Sequence, residues 1–115
     1  MADNYFRRVH ALTPTKFWIN NPTRQEADLA LGEGALGCTC NPSYCGKMLF
    51  DRPDEGAYVS AVLDDVLKSA ENANAAEEEL QRRLVGVIAQ KFMPLYRQFP
   101  KEHGYVSIQG DPIHE

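Results

Sequence analysis

Three short stretches of this sequence alternate in the same way, and each of them ends in an amide side chain. They cover residues 17–20, 37–41 and 105–109, and the amides are Asn20, Asn41 and Gln109. Because successive side chains of a strand point to opposite faces, the pattern predicts three strands with their amides on one face. The sequence therefore predicts one shared polar site at the ends of these strands.

The two faces of the predicted strands differ in polarity. One face collects Trp18, Asn20, Thr39, Asn41, Ser107 and Gln109. The other collects Phe17, Ile19, Cys38, Cys40, Val106 and Ile108. The second set is apolar and suits burial beneath helices. The first set becomes polar towards the C-terminal ends of the strands, where barrel enzymes place their chemistry.

A helix is predicted to follow the first strand. Asn21 can cap it, Pro22 suits a first helical position, and Thr23 and Glu26 have the spacing of a capping box. The glycines at positions 32 and 34 suit its C-terminal end. Asn20 or Asn21 can therefore be simply a helix cap, and the cap is the role expected of Asn21.

Further helices are predicted between the second and third strands. A short helical piece covers residues 48–50, a loop covers 51–54, and an amphipathic helix contains residues 58–67. A second helix begins near Ala75 and is predicted to end or kink at Pro94. Its Glu78/Arg82 and Glu79/Arg83 pairs have the i, i+4 spacing that supports a helix.

The predicted fold class is α/β, in the order strand, helix, strand, helices, strand, with parallel strands as in part of a (β/α)8 barrel. Residues 1–15 show little periodicity and are predicted to be a lead-in segment, and residues 16–115 the N-terminal portion of the barrel. A closed barrel needs eight strands and about 250 residues. Three strands alone would leave two edges unpaired, so the sequence predicts a fragment truncated after the third strand, or one part of a larger assembly.

Composition and charge exclude several classes of function. A chain of 115 residues with 43% hydrophobic content suits one ordinary domain and is too apolar for disorder. A net charge of -4 and the lack of a basic run argue against a nucleic-acid partner. No apolar run approaches the roughly 20 residues of a membrane span, and residues 1–4 do not resemble a signal peptide. These features predict a cytoplasmic protein with no membrane partner.

The other chemistry-bearing residues are predicted to have plain roles. Cys38, Cys40 and Cys45 fit a reducing compartment, being odd in number and too close together to join distant parts of a fold. Three thiols could hold a metal, but no Cys-x-x-Cys pair or adjacent histidine completes a zinc set. We therefore predict neither a metal nor a cofactor. Lys47 and Lys91 are assigned to solvent, because neither lies on a predicted interior strand.

The residues of the polar face resemble the transaldolase family. Residues 18–21, 35–43 and 106–109 resemble the first three strands of that family, and the Gly-x-Thr-x-Asn-Pro-Ser segment at 37–43 is the most specific part. The resemblance covers roughly residues 14–50 and 104–111. It implies a (β/α) barrel that breaks and remakes a carbon-carbon bond of ketose phosphates through a Schiff base. The lysine that forms this Schiff base belongs to a fourth strand, which would lie beyond Glu115.

The resemblance also implies roles for single residues. Asn41 matches the asparagine that hydrogen-bonds the lysine or the substrate, and Thr39 matches a threonine on the same face. Asn20 stands where the family has an aspartate, and Gln109 where it has a glutamate, both of the proton-handling set. An amide cannot take up a proton near neutral pH. These two departures therefore remove the usual carriers of a proton transfer that is commonly worth 10²–10⁴-fold in rate.

Two further residues complete the predicted site. Ser43 closes the Asn-Pro-Ser motif and is predicted to bind substrate, as is Asp111, which shares the face of Gln109 and would supply a replacement carboxylate. Plainer interpretations stay open. Asn41-Pro42-Ser43 is also a typical turn or helix start, and Gln109 can be an interior amide without chemistry.

Two functions follow from these observations. The first is an N-terminal part of a transaldolase-like enzyme that transfers a dihydroxyacetone unit or cleaves an aldol, with a sugar phosphate as substrate. Its catalytic residues would be Asn20, Asn41 and Gln109, and Thr39, Ser43 and Asp111 would bind the substrate. Without the Schiff-base lysine such a piece would be inactive alone. The second is a non-catalytic module that binds a sugar phosphate or a protein partner. No feature of the sequence specifies an oligomeric state.

Overall fold

The computed structural model describes residues 4–109 of the chain. Its helices are α1 (Tyr5–Leu12), α2 (Arg24–Glu33), α3 (Tyr44–Gly46), α4 (Pro53–Leu67) and α5 (Ala73–Gln98), and α3 continues into a π-helical turn at Lys47–Asp51. The strands are β1 (Trp18–Asn20), β2 (Gly37–Cys40) and β3 (Tyr105–Ile108). The predicted alternation of strands and helices is confirmed. In this part of the chain no helix combines the length and the apolar character that a bilayer span requires.

The three strands form one open sheet in the order β1-β2-β3, and both pairs of neighbours are parallel. Ile19 pairs with Cys38, which pairs with Val106, and the next row towards the C-terminal ends is Asn20, Thr39 and Ser107. The predicted parallel arrangement is confirmed. Because all three strands run the same way, their C-terminal ends meet at one edge of the sheet.

The hydrophobic core lies between one face of the sheet and the helices α2, α4 and α5. Cys38 and Cys40 of the central strand are fully buried, as predicted for the apolar face. The helices contribute a set of fully or almost fully buried side chains, namely Ala27, Val59, Leu84, Ile88 and Phe92. On the opposite face Asn20 and Ser107 are exposed. On the face that carries the amides, the strand ends at Asn20 and Ser107 are therefore accessible.

Helix α2 begins and ends where local chemistry predicts. The Glu26 backbone N–H donates to Thr23 Oγ1 at 3.1 Å and the Thr23 N–H donates to Glu26 Oε1 at 2.9 Å, so the capping box is confirmed. Gly34 ends the helix with a positive φ of 103°. The expected cap at Asn21 is wrong, because Thr23 is the N-cap. Pro22 accordingly precedes the helix and does not occupy its first position.

Helix α1 lies inside the segment that the sequence predicted only as a lead-in. Its N-cap Asn4 accepts a hydrogen bond from the Arg7 N–H at 3.0 Å. Phe6 stacks on Phe17 with ring centroids 4.2 Å apart, and His10 Nε2 accepts from the Phe17 N–H at 3.0 Å. None of its side chains is fully buried. Phe6, Val9 and His10 are half-buried and recur at helical spacing, so the expectation of little periodicity in this segment is wrong.

Helices α4 and α5 are longer than predicted. Pro53 occupies the first turn of α4, so the expected loop at 51–54 is shorter than predicted. Helix α5 does not end at Pro94 but continues to Gln98. Pro94 and Gln90, whose carbonyl loses its usual N–H partner, are both exposed. Water can satisfy that carbonyl, so the helix tolerates the proline.

One of the two ion pairs predicted on α5 is confirmed and the other is wrong. Glu79 pairs with Arg83 at 2.9 Å in the expected i, i+4 geometry. Arg82, however, pairs with Glu79 at 2.6 Å and not with Glu78. The two guanidinium groups hold the pKa of the Glu79 carboxyl far below its ordinary value, at about 2.

Candidate functional site

The structure brings Asn20 and Thr39 into direct contact. Asn20 is the last residue of β1 and Thr39 lies opposite it on β2. The Thr39 hydroxyl donates to Asn20 Oδ1 at 2.9 Å. A carboxylate at position 20 could accept the same hydrogen bond. The amide differs in offering an NH₂ donor and in being unable to accept a proton.

The third strand extends this polar row. Ser107 lies in register with Thr39, and the Gln109 N–H donates to the Cys40 carbonyl at 3.0 Å, which continues the β2–β3 pairing by one residue. Gln109 therefore follows β3 as Asn41 follows β2. Both Ser107 and Gln109 are exposed. We call the group Asn20, Thr39, Asn41, Ser107 and Gln109 the polar edge.

Asn41 is held at every polar atom except its side-chain nitrogen. Its N–H donates to Asn21 Oδ1 at 3.0 Å, and its carbonyl accepts from Gln81 Nε2 at 2.9 Å and from the Tyr44 N–H at 3.1 Å. Its Oδ1 accepts from the Ser43 N–H at 3.1 Å and the Ser43 hydroxyl at 2.5 Å. A backbone N–H can only donate, so the atom facing Ser43 is the oxygen.

These bonds leave one group of Asn41 available. Among residues 4–109 no hydrogen bond is formed by its side-chain NH₂. The Asn-Pro-Ser turn that the sequence left open as an alternative is present, since Asn41 Oδ1 and Ser43 form an Asx turn before α3. The turn and a ligand-binding role do not exclude each other. The turn uses the oxygen, and the nitrogen can donate to a ligand.

The remaining site predictions have different outcomes. Ser43 is exposed, and its hydroxyl already donates to Asn41. Its predicted contact with substrate stays a prediction, as do the catalytic roles of the three amides. Asp111 lies outside the described residues.

An aromatic row lies beneath the polar edge, and the sequence analysis did not identify it as part of the site. Trp18, Gly37 and Tyr105 are in register across the sheet. Trp18 and Tyr105 are 41% and 43% exposed. A Cβ added to Gly37 would lie 2.4 Å from Trp18 Cε2, so the indole rests on the glycine. The sequence signal that could have identified this row is the alternation of side chains along each strand, which places Trp18 and Gly37 on the same face as the amides.

The charged groups near the starts of α2 and α4 are paired with each other. Arg52 Nη1 lies 2.9 Å from Glu26 Oε2, and Arg24 Nε lies 3.0 Å from Glu55 Oε2. The backbone hydrogen bond from Thr23, with help from Arg52, lowers the pKa of the Glu26 carboxyl. The Glu26 carboxylate is therefore held as an anion and is a poor proton donor near neutral pH.

The two lysines are not simply solvated, which corrects the expectation for Lys47 in particular. Lys47 Nζ donates to the Asn21 carbonyl and lies 4.0 Å from Glu26 Oε1. Lys91 Nζ lies 2.8 Å from Asp28 Oδ1 on the surface of α5. Each ammonium group therefore has an acidic or carbonyl partner within the protein. Neither environment resembles the desolvated one that activates a Schiff-base lysine.

The cysteines lie in the core. The Cys38 and Cys40 sulfurs are 4.0 Å apart, and hydrogen bonding to Cys40 together with burial raises the pKa of the Cys38 thiol. Burial raises the pKa of the Cys45 thiol to about 11. In the described part of the chain no three His, Cys, Asp or Glu side chains are grouped so as to hold a metal ion.

Comparisons of this chain with protein-family models, with curated proteins and with solved structures found no match. The transaldolase resemblance therefore depends on the residues of the three strand ends alone. The geometry of the polar edge is the basis for any functional inference.

Proposed function

We propose that the polar edge forms one wall of a transaldolase-type site for ketose phosphates within a (β/α) barrel. The observation that carries the proposal is the hydrogen bond of 2.9 Å between Thr39 and Asn20, which joins the C-terminal ends of two neighbouring parallel strands. This bond is exposed and lies on the sheet face opposite to the buried Cys38 and Cys40. In barrel enzymes this end of the interior face carries the active site.

The available hydrogen-bonding groups suit an oxygen-rich ligand. The NH₂ of Asn41, which has no partner among the described residues, is a donor, and so is the NH₂ of Asn20, whose oxygen accepts from Thr39. Carbonyl, hydroxyl and phosphate oxygens of a sugar phosphate all accept such bonds. In this proposal Asn41 holds a substrate oxygen, and Asn20 and Gln109 orient the substrate without moving a proton.

The aromatic row supports a barrel interior. In a (β/α) barrel each layer of the interior is filled by side chains from alternate strands, so the strand between two large residues contributes a small one or none at that level. Trp18, Gly37 and Tyr105 form such a sequence of large, small and large residues across three strands. The row would close the floor of the site below the polar edge.

Binding can be tested by heteronuclear amide NMR of the chain titrated with fructose 6-phosphate. We expect the side-chain amide signals of Asn20, Asn41 and Gln109 to shift. Asn41→Asp keeps the oxygen that faces Ser43 but removes the NH₂ donor, so it should weaken binding by about tenfold or more. Asn74→Asp, an exposed position on α5, is the matched control and should bind as the wild type does. The proposal fails if saturating ligand leaves all three amide signals unmoved.

A second candidate is a module that binds a sugar phosphate without catalysis. It is favoured by the amides at Asn20 and Gln109, where the resemblance implies carboxylates. Reduction with borohydride after incubation of the full-length protein with fructose 6-phosphate separates the two candidates. A covalent adduct on a lysine, detected by mass spectrometry, supports the enzyme. Binding without an adduct supports the module.

A further inference from the structure

A buried chain of hydrogen bonds links α3 and α5 to the residue that follows β2. The Cys45 thiol donates to Gln81 Oε1 at 3.0 Å, and Gln81 Nε2 donates to the Asn41 carbonyl at 2.9 Å. Gln81 is 6% exposed and Cys45 is 8% exposed. The bonds therefore run through the protein interior and end on the backbone of the polar edge.

A glutamine at this position has to be explained. Its neighbours on the buried face of α5 are apolar, and burying an amide is unfavourable unless each of its polar atoms is bonded. Both ends of the Gln81 amide are bonded. An apolar side chain would fill the same space without this requirement, but it would leave the Asn41 carbonyl with one donor fewer.

The donors and acceptors in this series of hydrogen bonds can be assigned from the Asn41 carbonyl, at which the series ends. The Asn41 carbonyl can only accept, so the Gln81 atom that faces it is the nitrogen. The Gln81 oxygen must then face Cys45, which has to donate as a protonated thiol. Because burial raises the pKa of this thiol to about 11, it keeps its proton near neutral pH.

We propose that Gln81 and Cys45 are positioning residues that fix the Asn41 carbonyl and thereby direct the Asn41 side-chain NH₂ towards a ligand at the polar edge. The ligand part of this inference rests on the function proposed above. Asn41 is held by β1 through Asn21, by its own turn through Ser43 and by the core through Gln81. Rotation of the peptide plane between Asn41 and Pro42 would have to break the bond from Gln81.

The test compares Gln81→Leu with Gln90→Leu, which is the same change at an exposed position of the same helix. In the absence of ligand, we expect Gln81→Leu to shift the side-chain amide signal of Asn41 and to speed hydrogen exchange at Tyr44 by about tenfold. With ligand present, the dissociation constant for fructose 6-phosphate should rise about tenfold. Gln90→Leu should change none of the three quantities.

A pair of cysteine variants tests the same link with a smaller change. Cys45→Ser keeps a hydroxyl donor and should leave the Asn41 signal close to that of the wild type. Cys45→Ala removes the donor and should shift the Asn41 signal in the direction seen for Gln81→Leu. If Gln81→Leu does not fold, this pair decides the question.

The outcomes separate the two proposals. If the wild type does not bind fructose 6-phosphate, the proposed function fails. The Asn41 amide signal measured without ligand still tests the positioning role. Positioning is overturned if the Asn41 signal is the same in Gln81→Leu and the wild type. It is also overturned if that signal moves while the affinity stays unchanged, or if Cys45→Ala and Cys45→Ser give identical spectra.

Discussion

At the scale of the residue, Gly37 allows Trp18 to lie flat against the sheet. An added methyl group would meet the indole at 2.4 Å, so Gly37→Ala must displace the ring. We expect a loss of about 1–3 kcal/mol in the free energy of unfolding, as for other overpacked sites. Urea denaturation measures this loss. The emission of the only tryptophan in the chain should change as well.

Gly86→Ala is the matched control for this substitution. Gly86 lies within α5, and a Cβ there would meet nothing within 4 Å. Because alanine is the better helix former, the control should gain about 0.5–1 kcal/mol. The double variant Gly37→Ala/Trp18→Leu should recover part of the lost stability. Unchanged stability and unchanged emission in Gly37→Ala would show that Trp18 does not rest on this glycine.

At the scale of the element, α2 and α4 are joined by an ion pair with one buried partner. Glu55 is 3% exposed, and the Arg24 guanidinium that pairs with it also lies 3.8 Å above the Tyr58 ring. Arg24→Met keeps an apolar cover on the ring but leaves the buried carboxylate without its partner. We expect a loss of about 2–4 kcal/mol in urea denaturation. This is less than for a fully buried pair, because the Arg24 side chain is 40% exposed.

A double variant distinguishes the loss of the charge pair from the loss of packing by the Arg24 side chain. Arg24→Met/Glu55→Gln should be more stable than Arg24→Met, because no unpaired charge remains in the core. Arg97→Met, at an exposed position near the end of α5, removes a positive charge elsewhere and should change the stability little. If the double variant is no more stable than the single one, the ion pair is not what joins the helices.

At the scale of the whole molecule, the sheet is open. Within residues 4–109, β1 and β3 have one strand neighbour each, and Ile108 at the β3 edge is 47% exposed. Unpaired edges of this kind are templates for pairing with another chain. We expect sedimentation velocity to show association that increases with concentration. Ile108→Lys should weaken it, because a charge at an edge disfavours strand pairing.

The control for this edge is Leu29→Lys, which places the same charge on the outer surface of α2, where Leu29 is 63% exposed. It should associate as the wild type does. A wild type that stays monomeric at every concentration would contradict the expectation, as would equal weakening by the two variants.

The sequence by itself determined the features that depend on neighbouring residues. The capping box of Thr23 and Glu26 and the end of α2 at Gly34 are local interactions, so the residues that specify them lie within a few positions of one another. Strand parity likewise predicted that Asn20 and Thr39 would share a face and that Cys38 and Cys40 would be buried.

Only the tertiary structure decided the features that depend on distant partners. Asn21, for example, accepts a hydrogen bond from the Asn41 N–H, whereas local chemistry predicted that it would cap a helix. Gln81, 40 positions from Asn41 along the chain, holds the carbonyl of that residue. No periodic pattern encodes such a contact, because it arises only when α5 packs beneath the sheet and a buried amide must find its hydrogen-bond partners there.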